Sequence, residues 1–314
     1  MTRDPVEEAL FLDREAADPD APVSHYVAIQ RVVVRMLFDP AFVQRVYESP
    51  DETLRGLDLD RGLVDQLLLN DRRLWNADRL RRSRALKILL DEFKTSSTLA
   101  LHEVRELAFL DAFFSSDRFH AAVQRRGYMA VAFAGYLEDA LAGGRLASSH
   151  LRCALTLEAA MARSRRALRD ARRGRDPAVR GLVNGARGMR RVVLPGIAAV
   201  FLPAGALELV QHVERYLFEI GQVPALALCT DAPSPDPLPA LSASDQVPYL
   251  LEPRVGGKVD LSVVGREFAL VVQACESPVD DDGLAAAMSD HGISREDALD
   301  QARQLLDGGV LRRV

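Results

Sequence analysis

Cysteine is scarce in this chain: Cys153, Cys229 and Cys275 are the only three among 314 residues. Their odd number, wide spacing and apolar neighbours argue against a disulfide framework and for buried, reduced thiols in a cytoplasmic protein. Long apolar runs are missing as well, and none approaches the ~20 residues a membrane helix requires. The opening Met1-Thr2-Arg3-Asp4-Pro5 has no basic start followed by an apolar stretch, so no secretory signal is expected. Positive charge is not in excess either. A formal net charge of −5 provides no general attraction to nucleic acid. Catalytic fingerprints are lacking too, with no Gly-x-Ser-x-Gly elbow, phosphate loop or dinucleotide-binding glycine motif.

What is present is the composition of a globular protein, 48% hydrophobic and 27% charged, in a chain long enough for two domains. Residues 1–24 are acidic and proline-containing and are expected to form a loose arm. Helical periodicity begins at Tyr26 and runs through Ile29, Val32, Val33, Met36 and Leu37. Asp39-Pro40 and Ser49-Pro50 restart helices, with a capping residue followed by proline in the first turn. Asn76 is expected to cap a helix reaching Phe93, and further helices are expected over 100–114 and from Ser116. The spacing predicts one long helix from Ala147 to Arg173, its far end dense in arginine. An all-helical domain, 25–175, is therefore expected, joined by a Gly/Arg-rich linker, 176–191, to a smaller α+β domain, 192–314. There Val192–Leu194, Ile197–Leu202 and Ala225–Cys229 read as strands and Ala206–Ile220 as a helix. The stretch 230–246, with Pro233, Pro235, Pro237 and Pro239, reads as an exposed loop. The fold class expected is α+β, mainly α.

The final quarter is the most patterned. Tyr249-Leu250-Leu251 and Val259-Asp260-Leu261 flank Gly256-Gly257, a strong hairpin signal because both turn residues can take positive φ. An apolar run follows to Ala274. A helix is then expected from Asp280-Asp281-Asp282, and another from Ser294, which has Asp297 in capping-box spacing. A hairpin with three short helices is the make-up of a winged-helix module, which binds a DNA groove or a peptide laid along a strand edge. Three aspartates at one helix start, and Glu296, Asp297 and Asp300 on the next, would repel phosphates. An extended peptide adding a strand tolerates that charge, so the residues favour peptide over DNA. A DNA-binding regulator with a helical ligand or dimerisation domain is the alternative. An enzyme reading has only His102, Glu103 and Glu106 to offer. His102 and Glu106 are four apart, a spacing that puts two ligands on one helix face.

The stretch Arg118-Phe119-His120-Ala121, Phe133-Ala134-Gly135-Tyr136-Leu137, then Leu157-Glu158-Ala159-Ala160 and the arginines after it, resembles the helical domain of a particular class of accessory proteins. These partner multinuclear non-haem iron oxidases that modify ribosomally made peptides. Ala159 stands where that family carries tryptophan. The C-terminal Leu305-Leu306-Asp307-Gly308-Gly309-Val310-Leu311 is similar to the end of the same proteins and of peptide-recognition winged helices. The resemblance implies a non-catalytic subunit in a heterodimer with a TIM-barrel iron oxidase. The subunit takes the precursor's leader by strand addition and has no cofactor of its own, the iron belonging to the oxidase. Leader contacts are then expected at Tyr249, Leu250, Leu251, Val259, Leu261 and Leu305. The oxidase is expected to meet Arg165, Arg166, Arg169 and Arg172 and the 192–229 segment.

Overall fold

A computed structural model describes residues 25–57, 59–78, 80–125, 127–174, 190–221, 225–254 and 256–314. The expected arm, 1–24, and nearly all of the expected linker lie outside these residues. Two compact units divide the chain at Asn76/Ala77, so the helices from Arg81 to Arg172 and the sheet after the linker belong to the same unit.

The first unit holds α1 (His25–Phe38), α2 (Pro40–Glu48), α3 (Pro50–Thr53) and α4 (Arg61–Leu69), followed by a 3-10 turn, Arg72–Asn76. Asp39 caps α2 as its sequence implies, its carboxylate accepting from the Phe42 N–H at 3.1 Å. Val32, Met36, Phe42, Val43, Val46, Leu54 and Leu67 form the core. Asn76 ends the 3-10 turn and does not cap the following helix.

In the second unit α5 (Arg81–Glu92), α6 (Lys94–Val104), α7 (Leu107–Asp111), α8 (Asp117–Gln124) and α9 (Met129–Ala142) lead into α10 (Ser149–Arg172). The expected single helix over 100–114 is broken, because Arg105 adopts a left-handed conformation (φ 61°) and terminates α6. Ser116 and Ser148 act as caps, accepting from Phe119 N–H and Leu151 N–H, each at 3.2 Å. Phe113 gathers Phe114, Phe119, Phe133 and Tyr136 at ring separations of 5.2–5.8 Å, giving the helical layer an aromatic centre.

The 24-residue α10 is the spine of this unit, packing against α6 and α9 and also against strands of the sheet. Its Glu158 is buried, and its carboxylate accepts from the N–H groups of Thr95 and Ser96 at 2.8 and 2.9 Å. Those are two of the orphan donors at the start of α6, which has no local capping side chain.

Beyond the linker come β1 (Arg191–Val193), β2 (Ala198–Ala204), α11 (Ala206–Glu219) and α12 (Ala225–Thr230). The strand expected at Ala225–Cys229 is thus helical. The run Ala-Leu-Ala-Leu-Cys alternates in size, yet Ala and Leu are strong helix formers and the stretch has no β-branched residue. The proline-rich loop is held by side chains: Tyr216 OH donates to Pro233 O at 2.7 Å. His212 and His150 reach the carbonyls of Pro235 and Pro239 through Nε2 at 2.6 and 2.8 Å.

β3 (Ser242–Pro253) and β4 (Val259–Val263) complete a three-stranded antiparallel sheet of order β2-β3-β4. Then follow α13 (Arg266–Ala274), α14 (Asp281–Ser289), α15 (Arg295–Asp307) and β5 (Leu311–Arg313), which pairs with β1. The hairpin and three helices occur in the order expected. Capping is also as expected, with Asp280 accepting from Gly283 N–H at 2.8 Å and Ser294 from Asp297 N–H at 3.2 Å. The whole is α+β and mainly α. Among the described residues no helix is long and apolar enough to cross a membrane.

Candidate functional site: the free edge of the sheet

Gly256 and Gly257 turn the β3–β4 hairpin with φ of 101° and 85°, values that side-chain-bearing residues avoid. Backbone bonds on either side of β4 fix its phase. Arg254 N–H donates to Lys258 O at 2.7 Å and Val264 N–H donates to Pro248 O at 3.1 Å. Antiparallel ladders alternate bonded and non-bonded pairs, so Lys258, Asp260, Ser262 and Val264 turn their backbone groups towards β3. Val259, Leu261 and Val263 turn theirs outwards. Pro253 opposes Val259 at a non-bonded position, where its missing N–H costs the ladder nothing.

Among the described residues no strand pairs with that outer side of β4. The opposite edge of the sheet is guarded. There the outward-turned positions of β2 are Ala199, Phe201 and Pro203 by the same alternation. The Ala199 carbonyl already accepts from Gln273 Nε2 at 3.1 Å, and Pro203 has no N–H to offer. Proline and side-chain cover are ways in which proteins blunt a sheet edge. β4 has neither.

The two faces of β4 differ. Leu250 joins the core formed by α13, α14 and α15, so alternation sends Tyr249 and Leu251 to the α10 side. Directly opposed residues share a face, which puts Val259, Leu261 and Val263 on the α10 side and Asp260 and Ser262 on the α13 side. Val263 is 65% exposed, one of the few large apolar side chains so placed, while Val259 and Leu261 are half-buried. On the other face Arg254 and Asp260 form an exposed ion pair at 2.6 Å.

Of the residues expected to touch a peptide, Tyr249, Leu250, Leu251 and Leu305 are 5, 5, 0 and 1% exposed and fill the chain's own core. Leu305 packs with Val193, Leu250 and Leu311 and is no part of the edge. Their hydrophobic pattern was a packing signal. Val259 and Leu261 do reach the edge. Val263 is a further edge residue, not among those expected: it begins the apolar run to Ala274, although Val259-Leu261-Val263 alternates with period two.

Comparison with known proteins yields no family and no curated relative that matches this chain.

The arginines at the end of α10 are largely engaged within the chain. Arg165 pairs with the mostly covered Glu92 at 2.9 Å, Arg166 with Asp170 at 3.2 Å, and the Arg169 guanidinium lies 5.1 Å over the Tyr128 ring. Arg172 is exposed. His102 and Glu106 are not brought onto one helix face: α6 ends at Val104, and Glu106 is extended, at φ −135°. His102 Nε2 instead lies 2.8 Å from Tyr216 Oη, whose own hydrogen goes to Pro233 O, so Nε2–H is the donor. Burial, with the nearby Arg105 charge, holds the His102 imidazole below its ordinary pKa. Glu103 is spent on the Ala147 N–H. Among the described residues no group of three or more His, Cys, Asp or Glu is placed to hold a metal ion.

Proposed function

We propose that the outer edge of β4 receives an extended segment of a ribosomally made precursor peptide by strand addition. In this reading the chain is a non-catalytic, cytoplasmic subunit that presents the peptide to a multinuclear iron oxidase. The observation that carries the peptide half is the contrast between the two sheet edges, one covered and proline-blocked, the other with outward N–H and C=O groups that meet no partner strand among the described residues. The oxidase half rests on the resemblance of Arg118–Arg166 to oxidase partners. The iron would be the oxidase's own. Arg172, exposed at the end of α10, has surface to offer that partner.

Duplex DNA is the weaker reading. Arg295 is paired with Asp282 at 2.7 Å and Arg303 with Asp300 at 2.5 Å, so both cations of α15 already face carboxylates. Co-purification of the full chain with candidate precursor and oxidase is the test. Retention of both supports the proposal. Retention of neither, with a shift of duplex DNA at moderate salt, replaces it with the DNA reading.

A further inference from the structure

We infer that His102, Tyr216 and the proline-rich strap 233–239 form an acid-sensitive latch. It is closed while His102 is neutral, and a second proton on that ring releases the Pro233 end of the strap.

The strap is tied down by donors from two helices. Tyr216 and His212, one turn apart on α11, reach the carbonyls of Pro233 and Pro235, and His150 on α10 reaches that of Pro239. Pro235 is buried, whereas Pro233 and Ser234 are exposed, so the Pro233 end depends on the Tyr216 bond. Tyr216 is itself placed by His102. The two rings meet edge to face with centroids 5.6 Å apart, and His102 Nε2–H donates to Tyr216 Oη at 2.8 Å. The other ring nitrogen, Nδ1, is buried and meets no hydrogen-bond partner among the described residues. A neutral imidazole leaves only a bare acceptor there. An imidazolium would bury a second N–H with nothing to accept it.

The charges around the ring oppose that proton on balance. Arg105, at the end of the same helix, stands against it, and Asp236 on the strap pulls the other way. The Asp236 carboxylate already accepts from the Ser234 hydroxyl. Glu103 on α6 is spent on the Ala147 N–H, and Glu158 from α10 sits at the opposite end of α6. Cys229 on α12 stays a neutral thiol, because burial pushes it up. Burial and Arg105 prevail, so the half-buried ring takes its second proton below the ordinary histidine range and only by turning away from Tyr216. The closed latch binds fewer protons than the open one and therefore tightens as pH rises. His212 and His150 donate through Nε2–H in either charge state, so Pro235 and Pro239 stay held when Pro233 is let go.

A nitroxide at Ser234→Cys in the full chain tests this by electron paramagnetic resonance. The three native cysteines are buried, so the label goes to the strap. Its mobile fraction is expected to rise reversibly by about three-fold or more between pH 8 and 5, while circular dichroism holds steady. His102→Gln keeps an N–H donor near the Nε2 position and does not titrate, so it should hold the label ordered across that range. Tyr216→Phe removes both bonds and should leave the label mobile throughout. An unchanged label in the folded chain from pH 8 to 5 would overturn the latch. So would a pH response that survives in His102→Gln, or a label that stiffens in acid because Asp236 captures the imidazolium.

Discussion

Val263→Pro separates the edge's role in binding from its role in folding. The N–H of Val263 points away from β3, and the side chain is 65% exposed, so neither a ladder bond nor much core contact is lost. The residue before it, Ser262, is already extended, as a following proline requires. Stability is therefore expected to change by less than about 1 kcal/mol, the range typical of surface changes away from special features. Binding is another matter. A guest carbonyl that meets a proline ring in place of an N–H is left unsatisfied at about 1–3 kcal/mol, roughly a 5- to 150-fold loss in affinity. The matching control is Ser262→Pro, where the lost N–H faces Leu250 in the ladder, leaving that carbonyl without its donor, and destabilisation of about 1–3 kcal/mol is expected. Urea unfolding and peptide titration on both variants are the assays. Full peptide affinity in a folded Val263→Pro protein would refute the edge as the binding surface.

Removing the Glu158 carboxylate by Glu158→Ala leaves the Thr95 and Ser96 N–H groups buried without acceptors. That should cost about 2–5 kcal/mol in urea unfolding, with Glu158→Gln, which keeps one acceptor oxygen, falling between. His102 has its pKa depressed on folding, so the stability it contributes is present above the ordinary histidine range and is lost as pH falls through and below it. Thermal unfolding between pH 8 and 5 should show that decline, and His102→Gln should flatten it. Burial raises the Cys153 and Cys275 thiols to about 11, so both should resist a thiol-reactive disulfide reagent at pH 8 until urea exposes them.

Much of the fold is readable where a local rule decides. Asp39, Ser116, Ser148, Asp280 and Ser294 sit as caps because short polar side chains satisfy helix N–H groups without help from distant residues. Gly256-Gly257 marks the hairpin for an equally local reason. Legibility fails where a distant residue decides. The start of α6 is capped by Glu158, more than sixty residues away, and no spacing rule announces that. The break at Arg105 undoes the helical spacing that made His102 and Glu106 a pair. The site was half legible. Apolar residues on β3 and α15 looked available, but whether such a residue lines an edge or a core depends on which elements pack over it. Only the alternation Val259-Leu261-Val263 carried the edge itself, and its last member was hidden by the apolar run it begins.

Amide hydrogen exchange at β4, followed residue by residue with and without saturating precursor peptide, bears most directly on the central claim. Val259, Leu261 and Val263 should exchange quickly in the free chain, and Asp260 and Ser262 slowly. Peptide should then protect the first three. Protection of those three before peptide is added, or their unchanged exchange in a chain that has demonstrably bound it, would contradict the account.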